Sequence, residues 1–179
     1  MNDGLIPNRY AKALYKVANE RGDTAQVYAQ MKQLDAAYDA EAGLKKAVNN
    51  PFLPLSDKLQ LLCAAAGANS DGSAAKFMEL VVKNNRIDFM RAIALAFMKQ
   101  YRNNNGIASV EIVTATKLGD DDINGIIDVV KSQLEGKTIE LSKRVDPNLI
   151  GGFMVDVDSK VLDASVKNQL EKLRLKLLS

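Results

Sequence analysis

The sequence predicts an α+β chain in two parts: an N-terminal six-helix bundle over residues 1–105, and a small α/β C-terminal module over residues 106–179 with a β-hairpin and a terminal helix. Three observations predict it. Apolar residues recur at helical spacing as far as Tyr101. The run Asn103-Asn104-Asn105-Gly106 then interrupts the pattern. Beyond it the period falls to two, as Ala108, Val110 and Ile112 alternate with Ser109 and Glu111. Helices gathered in one half and mixed elements in the other favour two units over one doubly wound sheet.

Pro7 suits a first helical turn. Tyr10, Leu14 and Val17 follow on one stripe, with Ala11, Tyr15 and Ala18 beside it, and Arg21-Gly22 ends the helix. Small Ala11 and Ala18 leave room for another helix to approach, although a plain core-facing helix fits the same residues. Thr24 is expected to cap a second helix, with Val27, Met31, Leu34 and Tyr38 in phase. A short third helix around residues 44–48 stops at Asn49-Asn50-Pro51. Ser56 is expected to cap a fourth, with Leu59, Leu62, Cys63 and Ala66, ended by Gly67. Residues 67–73 read as a loop. Ser73 opens a fifth helix with Phe77, Leu80, Val81 and Asn84. Asp88 is expected to cap a sixth, with Phe89, Ile93, Phe97 and Tyr101 in phase.

In the second part, Asp120-Asp121-Asp122 places negative charge at a helix N-terminus, which the macrodipole favours. Ile123, Ile126, Ile127, Val130 and Leu134 make that helix amphipathic, and Gly136 closes it. Residues 138–145 alternate again as a strand. Asp146-Pro147 ends it, because proline disfavours helix in the residue before it. Gly151-Gly152 removes two β-carbons where another backbone comes close or φ turns positive. Phe153, Val155 and Val157 then alternate, Asp158-Ser159-Lys160 turns, and Val161-Leu162 returns. Asp163 suits the N-cap of a last helix with Val166, Leu170, Leu173 and Leu177 on one stripe. Leu175 and Leu178 lie off that stripe, and two readings fit them: a surface for a partner, or a frayed tail.

Composition narrows the chemistry. The 179 residues are 47% hydrophobic, enough for a packed core, and carry a formal net charge of +2. The first 105 residues lean basic and the remainder slightly acidic, which suggests two different partner surfaces. There is no histidine and one cysteine. That removes most zinc sites, most acyl-transfer triads and any internal disulfide. Cys63 reads as a small apolar core residue. No signal peptide and no spanning apolar run is present, so a cytosolic or peripheral chain is expected.

Neither Gly-x-x-x-x-Gly-Lys-Ser/Thr nor Gly-x-Gly-x-x-Gly occurs. Asp120, Asp121 and Asp122 lack the glycine and distal glutamate of a calcium loop. Every carboxylate reads as a cap, a turn or a solvated face, so no catalytic residue, cofactor site or metal site is expected. The basic residues are interspersed with acidic ones and would release few counterions, which argues against nucleic acid. An interaction protein remains.

The run Asp146-Pro147-x-Leu149-Ile150-Gly151-Gly152-Phe153, followed by a hydrophobic strand and then Asp163-x-Ser165 before a leucine-rich helix, resembles the C-terminal signature of the delta subunit family of rotary ATP synthases. The mitochondrial equivalent is the oligomycin-sensitivity-conferring protein. The spacing Tyr10-Ala11-x-Ala13-Leu14, with Ala18 one turn later, is similar to the opening of the same family, and the resemblance extends over nearly the whole chain. It departs where the family usually has a proline shortly before the Leu118 position and this chain has Thr116-Lys117.

The resemblance implies a non-catalytic stator subunit that links the catalytic head to the peripheral stalk and resists rotor torque. It implies that residues 1–105 hold the N-terminal helix of an alpha subunit between the first and fifth helices. By position that falls on Tyr10, Ala11, Leu14, Tyr15, Ala18, Phe77, Met78, Val81 and Val82. A charge at Leu14 is then expected to block the partner and leave the bundle folded. Residues 106–179 are implied to hold the C-terminal ends of the b subunits, with Leu175 and Leu178 as candidates. The implied location is peripheral, on the cytoplasmic face of the inner membrane, reached only through the complex. A non-catalytic helical adaptor with other partners remains the alternative.

Overall fold

In a computed structural model, residues 4–69, 71–116, 119–134, 136–158 and 160–178 are described. The helices α1 (Leu5–Arg21), α2 (Thr24–Ala40), α3 (Ala42–Val48), α4 (Leu55–Ala66), α5 (Ser73–Lys83) and α6 (Met90–Asn104) come first, with a 3₁₀ turn at Ile87–Phe89. Then follow β1 (Ile107–Thr114), α7 (Asp120–Gln133), β2 (Thr138–Val145), β3 (Gly152–Val157), β4 (Lys160–Ser165) and α8 (Val166–Leu178). The architecture is α+β, and the chain divides into two compact units, Met1–Tyr101 and Arg102–Ser179.

In the first unit the α2 stripe faces inward as its period requires, with Val27, Met31 and Leu34 buried. They meet Leu14, Leu62, Met78, Met90, Ile93 and Phe97 in one core. Arg91 ties α6 to α2 by bonds to Asp35 (2.8 Å) and Asp39 (2.6 Å).

Three caps in the first unit differ from expectation. Thr24 is already the first helical residue of α2, and Asp23 before it makes no capping bond. α4 starts at Leu55, because the Pro54 carbonyl already accepts the Asp57 and Lys58 N–H groups. Ser56 instead donates to Asp57 Oδ1 at 2.9 Å. Asp88 sits in the 3₁₀ turn, one turn ahead of α6.

The buried face of α1 also differs. Pro7, Ala11, Leu14 and Ala18 are buried, while Val17 is 42% exposed and Tyr10 and Tyr15 are half-buried. The alanines let α1 sit close to α2 and α5, so the small residues mark the inner stripe.

The second unit holds a four-stranded sheet of order β2-β1-β3-β4. β1 and β2 are parallel and joined through α7, whereas β1–β3 and β3–β4 are antiparallel. Val110, Ile112 and Val155 face Ile123 and Val130 of α7. The return strand β4 extends to Ser165, which pairs with Gly152. Ser159 in its turn lies outside the described residues, as do Lys117 and Leu118 next to the departure from the family pattern. Asp120, Asp121 and Asp122 fall in the first turn of α7 behind Gly119, and their side chains are outside the description.

The stripe of α8 is exposed: Leu170 and Leu173 lie more than half open, and Leu177 is 87% exposed. Among the described residues no helix is long and apolar enough to cross a membrane.

Candidate functional site

α1 and α5 lie side by side and run antiparallel, held together at both ends by side chains. At one end Asn84 Nδ2 donates to Tyr10 Oη at 3.1 Å. At the other, Ser73 Oγ donates to Asp23 Oδ2 at 2.6 Å, and Arg21 Nη1 donates to Ser73 Oγ at 3.4 Å. Between these ties the outer surface of the pair forms two adjoining recesses. Ile6, Tyr10, Ala13 and Val17 form one wall, and Phe77 and Leu80 the other. The Tyr10 ring meets Phe77 edge-on, with centroids 6.1 Å apart. The walls between the two ends are therefore apolar, polar and charged side chains lie at the ends, and the hydrogen bonds there form without a guest.

Of the residues expected to meet a partner, Ala11, Leu14, Ala18, Phe77, Met78, Val81 and Val82 are buried in the bundle core. Leu14 and Phe77 reach the lining from below. Tyr10 stands in the wall, and Tyr15 packs toward Phe97 at 6.2 Å between ring centroids. Leu14 is only 1% exposed, so the expectation that a charge there would spare the bundle does not hold: an aspartate would be buried without a partner.

The surface open to a guest is Ile6, Ala13, Val17 and Leu80 together with Tyr10, and of these only Tyr10 is among the residues expected to meet a partner. The signal was present. Residues 6, 10, 13 and 17 repeat the spacing of the core stripe 7, 11, 14 and 18, one residue earlier. A helix with two adjacent apolar stripes has one more face than its own core needs.

The C-terminal signature forms one junction. The Asp146 carboxylate accepts from the Asn148 backbone N–H (3.0 Å) and side chain (2.9 Å), which closes the turn through Pro147. Gly151 O then accepts from Val166 N at 3.0 Å, and a β-carbon on Gly151 would stand 3.1 Å from the Val166 side chain. Gly152 has φ +77, and a β-carbon there would lie 2.5 Å from the Ala164 carbonyl oxygen. The close approach of β4 thus requires glycine at 152, while at 151 a β-carbon would press on the Val166 side chain of α8. Phe153 follows in β3, half-buried against the sheet–α7 core.

The cap of α8 is Ser165 rather than Asp163. Ser165 Oγ accepts from Asn168 N at 3.2 Å, while Asp163 Oδ1 accepts from Ser165 N at 2.8 Å. The bonds from Ser165 hold the Asp163 carboxyl below its ordinary value. Leu175 is 63% exposed, and the Leu178 side chain lies outside the description. A further apolar recess between α7 and the β3–β4 hairpin is lined by Val155, Val157, Val161 and Leu162. Among the described residues no group of three histidine, cysteine, aspartate or glutamate side chains could hold a metal ion.

A family model described as ATP synthase delta (OSCP) subunit matches residues 6–177. The "ATP synthase subunit delta" of Phocaeicola vulgatus is 34% identical over 172 residues, covering 96% of this chain and 92% of that protein. That of Parabacteroides distasonis is 34% identical over 185 residues, covering 99% and 98%. A chain in the cryo-EM structure of the Toxoplasma gondii mitochondrial ATP synthase hexamer shares the fold, with a TM-score of 0.77 at 22% identity and 97% coverage of both chains. On the match across residues 6–177 and these full-length likenesses, the chain belongs to the ATP synthase delta (OSCP) subunit family.

Proposed function

We propose that the chain joins the catalytic head of a rotary, proton-translocating ATP synthase to its peripheral stalk, gripping a different neighbour with each unit. Its family makes it a non-catalytic stator subunit of that enzyme. The first unit, a six-helix bundle in this reading, takes the N-terminal helix of an alpha subunit into the α1–α5 groove. The second takes the C-terminal ends of the b subunits, with the exposed leucines of α8 as the contact. The chain sits peripherally on the cytoplasmic face of the inner membrane, held there by the complex.

The observation that carries this reading is the groove. Its apolar walls, contributed by two neighbouring helices, suit the apolar face of an amphipathic helix. The hydrogen bonds at its two ends keep it open in advance, which lowers the ordering cost of binding. A stator that released its partner during a cycle would waste the gradient, so dissociation must be slow. A nanomolar contact corresponds to about 12 kcal/mol.

The test is titration of the full chain with a peptide of the cognate alpha N-terminus, followed by fluorescence anisotropy. Saturable binding, lost on Ala13→Asp, is expected. No binding to the folded chain would refute the reading.

A further inference from the structure

The charged residues that line the groove are all of one sign, with the Asp23 carboxylate, which accepts from the lining Ser73, outside the lining at the Arg21 and Lys76 end. Besides its apolar walls, the lining includes Arg9 and Arg86 at one end and Arg21 and Lys76 at the other. Among the described residues no carboxylate lines it; Glu20 and Glu79 belong to the same two helices but are not in the lining. All four cations are exposed. Arg9, Lys76 and Arg86 make no ion pair among the described residues, and Arg21 bonds only the Ser73 hydroxyl. Arg9 and Arg21 project from α1, Lys76 from α5, and Arg86 from just beyond the end of α5. An apolar trough thus has a cation at each of its four corners. Arg9 and Arg21 are twelve residues apart in sequence, or about 18 Å along the helix.

We infer that the groove selects its guest by charge: it takes an amphipathic helix of about three turns whose flanks carry carboxylates at both ends, matched to Arg9, Arg21, Lys76 and Arg86. This rests on the reading of the groove as the alpha-subunit site and adds the chemistry that distinguishes the right helix from any apolar one. The walls give burial, which is indifferent to sequence, whereas the corners penalise a basic flank by like-charge contact. Because the corners are solvated, their attraction is screened by salt and acts strongly on association.

The test titrates the full chain with the cognate alpha N-terminal peptide, and with the same peptide carrying glutamine in place of each acidic residue. The native peptide is expected to bind about tenfold tighter at low salt, with the gap closing toward 0.5 M salt. Arg9→Glu with Lys76→Glu is expected to weaken the native peptide about tenfold and leave the glutamine peptide little changed. Lys45→Glu with Lys46→Glu, both exposed on α3, makes the same change in net charge away from the groove and should change neither. If both peptides bind the native chain equally at low salt, or the corner variants bind as the native chain does, charge selection is refuted and the groove reading survives. If neither peptide binds at any salt, both are refuted.

Discussion

Leu14 and Leu80 both touch the α1–α5 groove, and an aspartate at each should have opposite consequences. Leu14 is 1% exposed and Leu80 is 48% exposed. Truncating a buried leucine costs about 2–5 kcal/mol, and a buried unpaired carboxylate adds several more. Against a total stability of about 5–15 kcal/mol, Leu14→Asp should unfold the first unit. Leu80 has roughly half its surface still to lose, so Leu80→Asp should cost about 1 kcal/mol and leave the bundle folded. In the proposed complex, however, the guest would cover the Leu80 position. An aspartate there would be desolvated against an apolar helix, and binding should fall at least about a hundredfold. Thermal melts at 222 nm and anisotropy with the alpha N-terminal peptide separate the two effects. The reasoning fails if Leu80→Asp unfolds as readily as Leu14→Asp, or if folded Leu80→Asp binds with the native affinity.

Further outcomes follow from the same geometry. Gly152→Ala should strongly destabilise the second unit, since its β-carbon meets the Ala164 carbonyl at φ +77, whereas Gly125→Ala in α7 meets nothing within 4 Å and should stabilise by about 0.5–1 kcal/mol in urea melts. Ser73→Ala should cost about 1–3 kcal/mol, because Asp23 Oδ1 is already buried without a partner among the described residues and Oδ2 would lose its donor. Burial, the main cause, pushes the Tyr38 phenol up to about 12, so it should ionise late in a titration followed at 295 nm. The folded state favours its neutral form, so that stability is complete below about pH 10, the phenol's unfolded value, and is lost as pH climbs through 12. Ser165→Ala should cost about 1 kcal/mol as a lost cap and let the Asp163 carboxyl rise toward its ordinary value, read by NMR titration.

The parts legible in the sequence are those where one signal stands alone. Residues 138–145 alternate between turn residues and become β2 over the same span. On α2, Val27, Met31 and Leu34 are the large aliphatic residues and have no competing row, so the inner side is readable even though Gln30 is buried beside them. Legibility failed where two signals compete. On α1, two apolar stripes lie one residue apart, and hydrophobicity alone does not say which is inner; close packing of Ala11 and Ala18 decides it. At the last helix, Asp163 and Ser165 are both good caps, and pairing of Ser165 with Gly152 holds the chain extended two residues longer. At α4, Pro54 starts the helix ahead of Ser56. The groove itself is legible as an excess of apolar residues on α1 and α5; of the residues carried over by position Tyr10 stands in its wall, whereas Ile6, Ala13, Val17 and Leu80 of the exposed lining lie one stripe away. The cation at each corner arises only when the antiparallel arrangement brings Arg9 near Arg86 and Arg21 near Lys76.

The most direct measurement is disulfide mapping in the assembled synthase. Cysteine is placed at Val17 or Leu80 of the chain, in a Cys63→Ala background, and at successive positions of the alpha N-terminus. The account expects cross-links from both sites that recur every three to four alpha residues, as a helix lying along α1 and α5 requires. Cross-links absent at both sites but present from an exposed α3 position such as Lys45 would place the head contact elsewhere and contradict it.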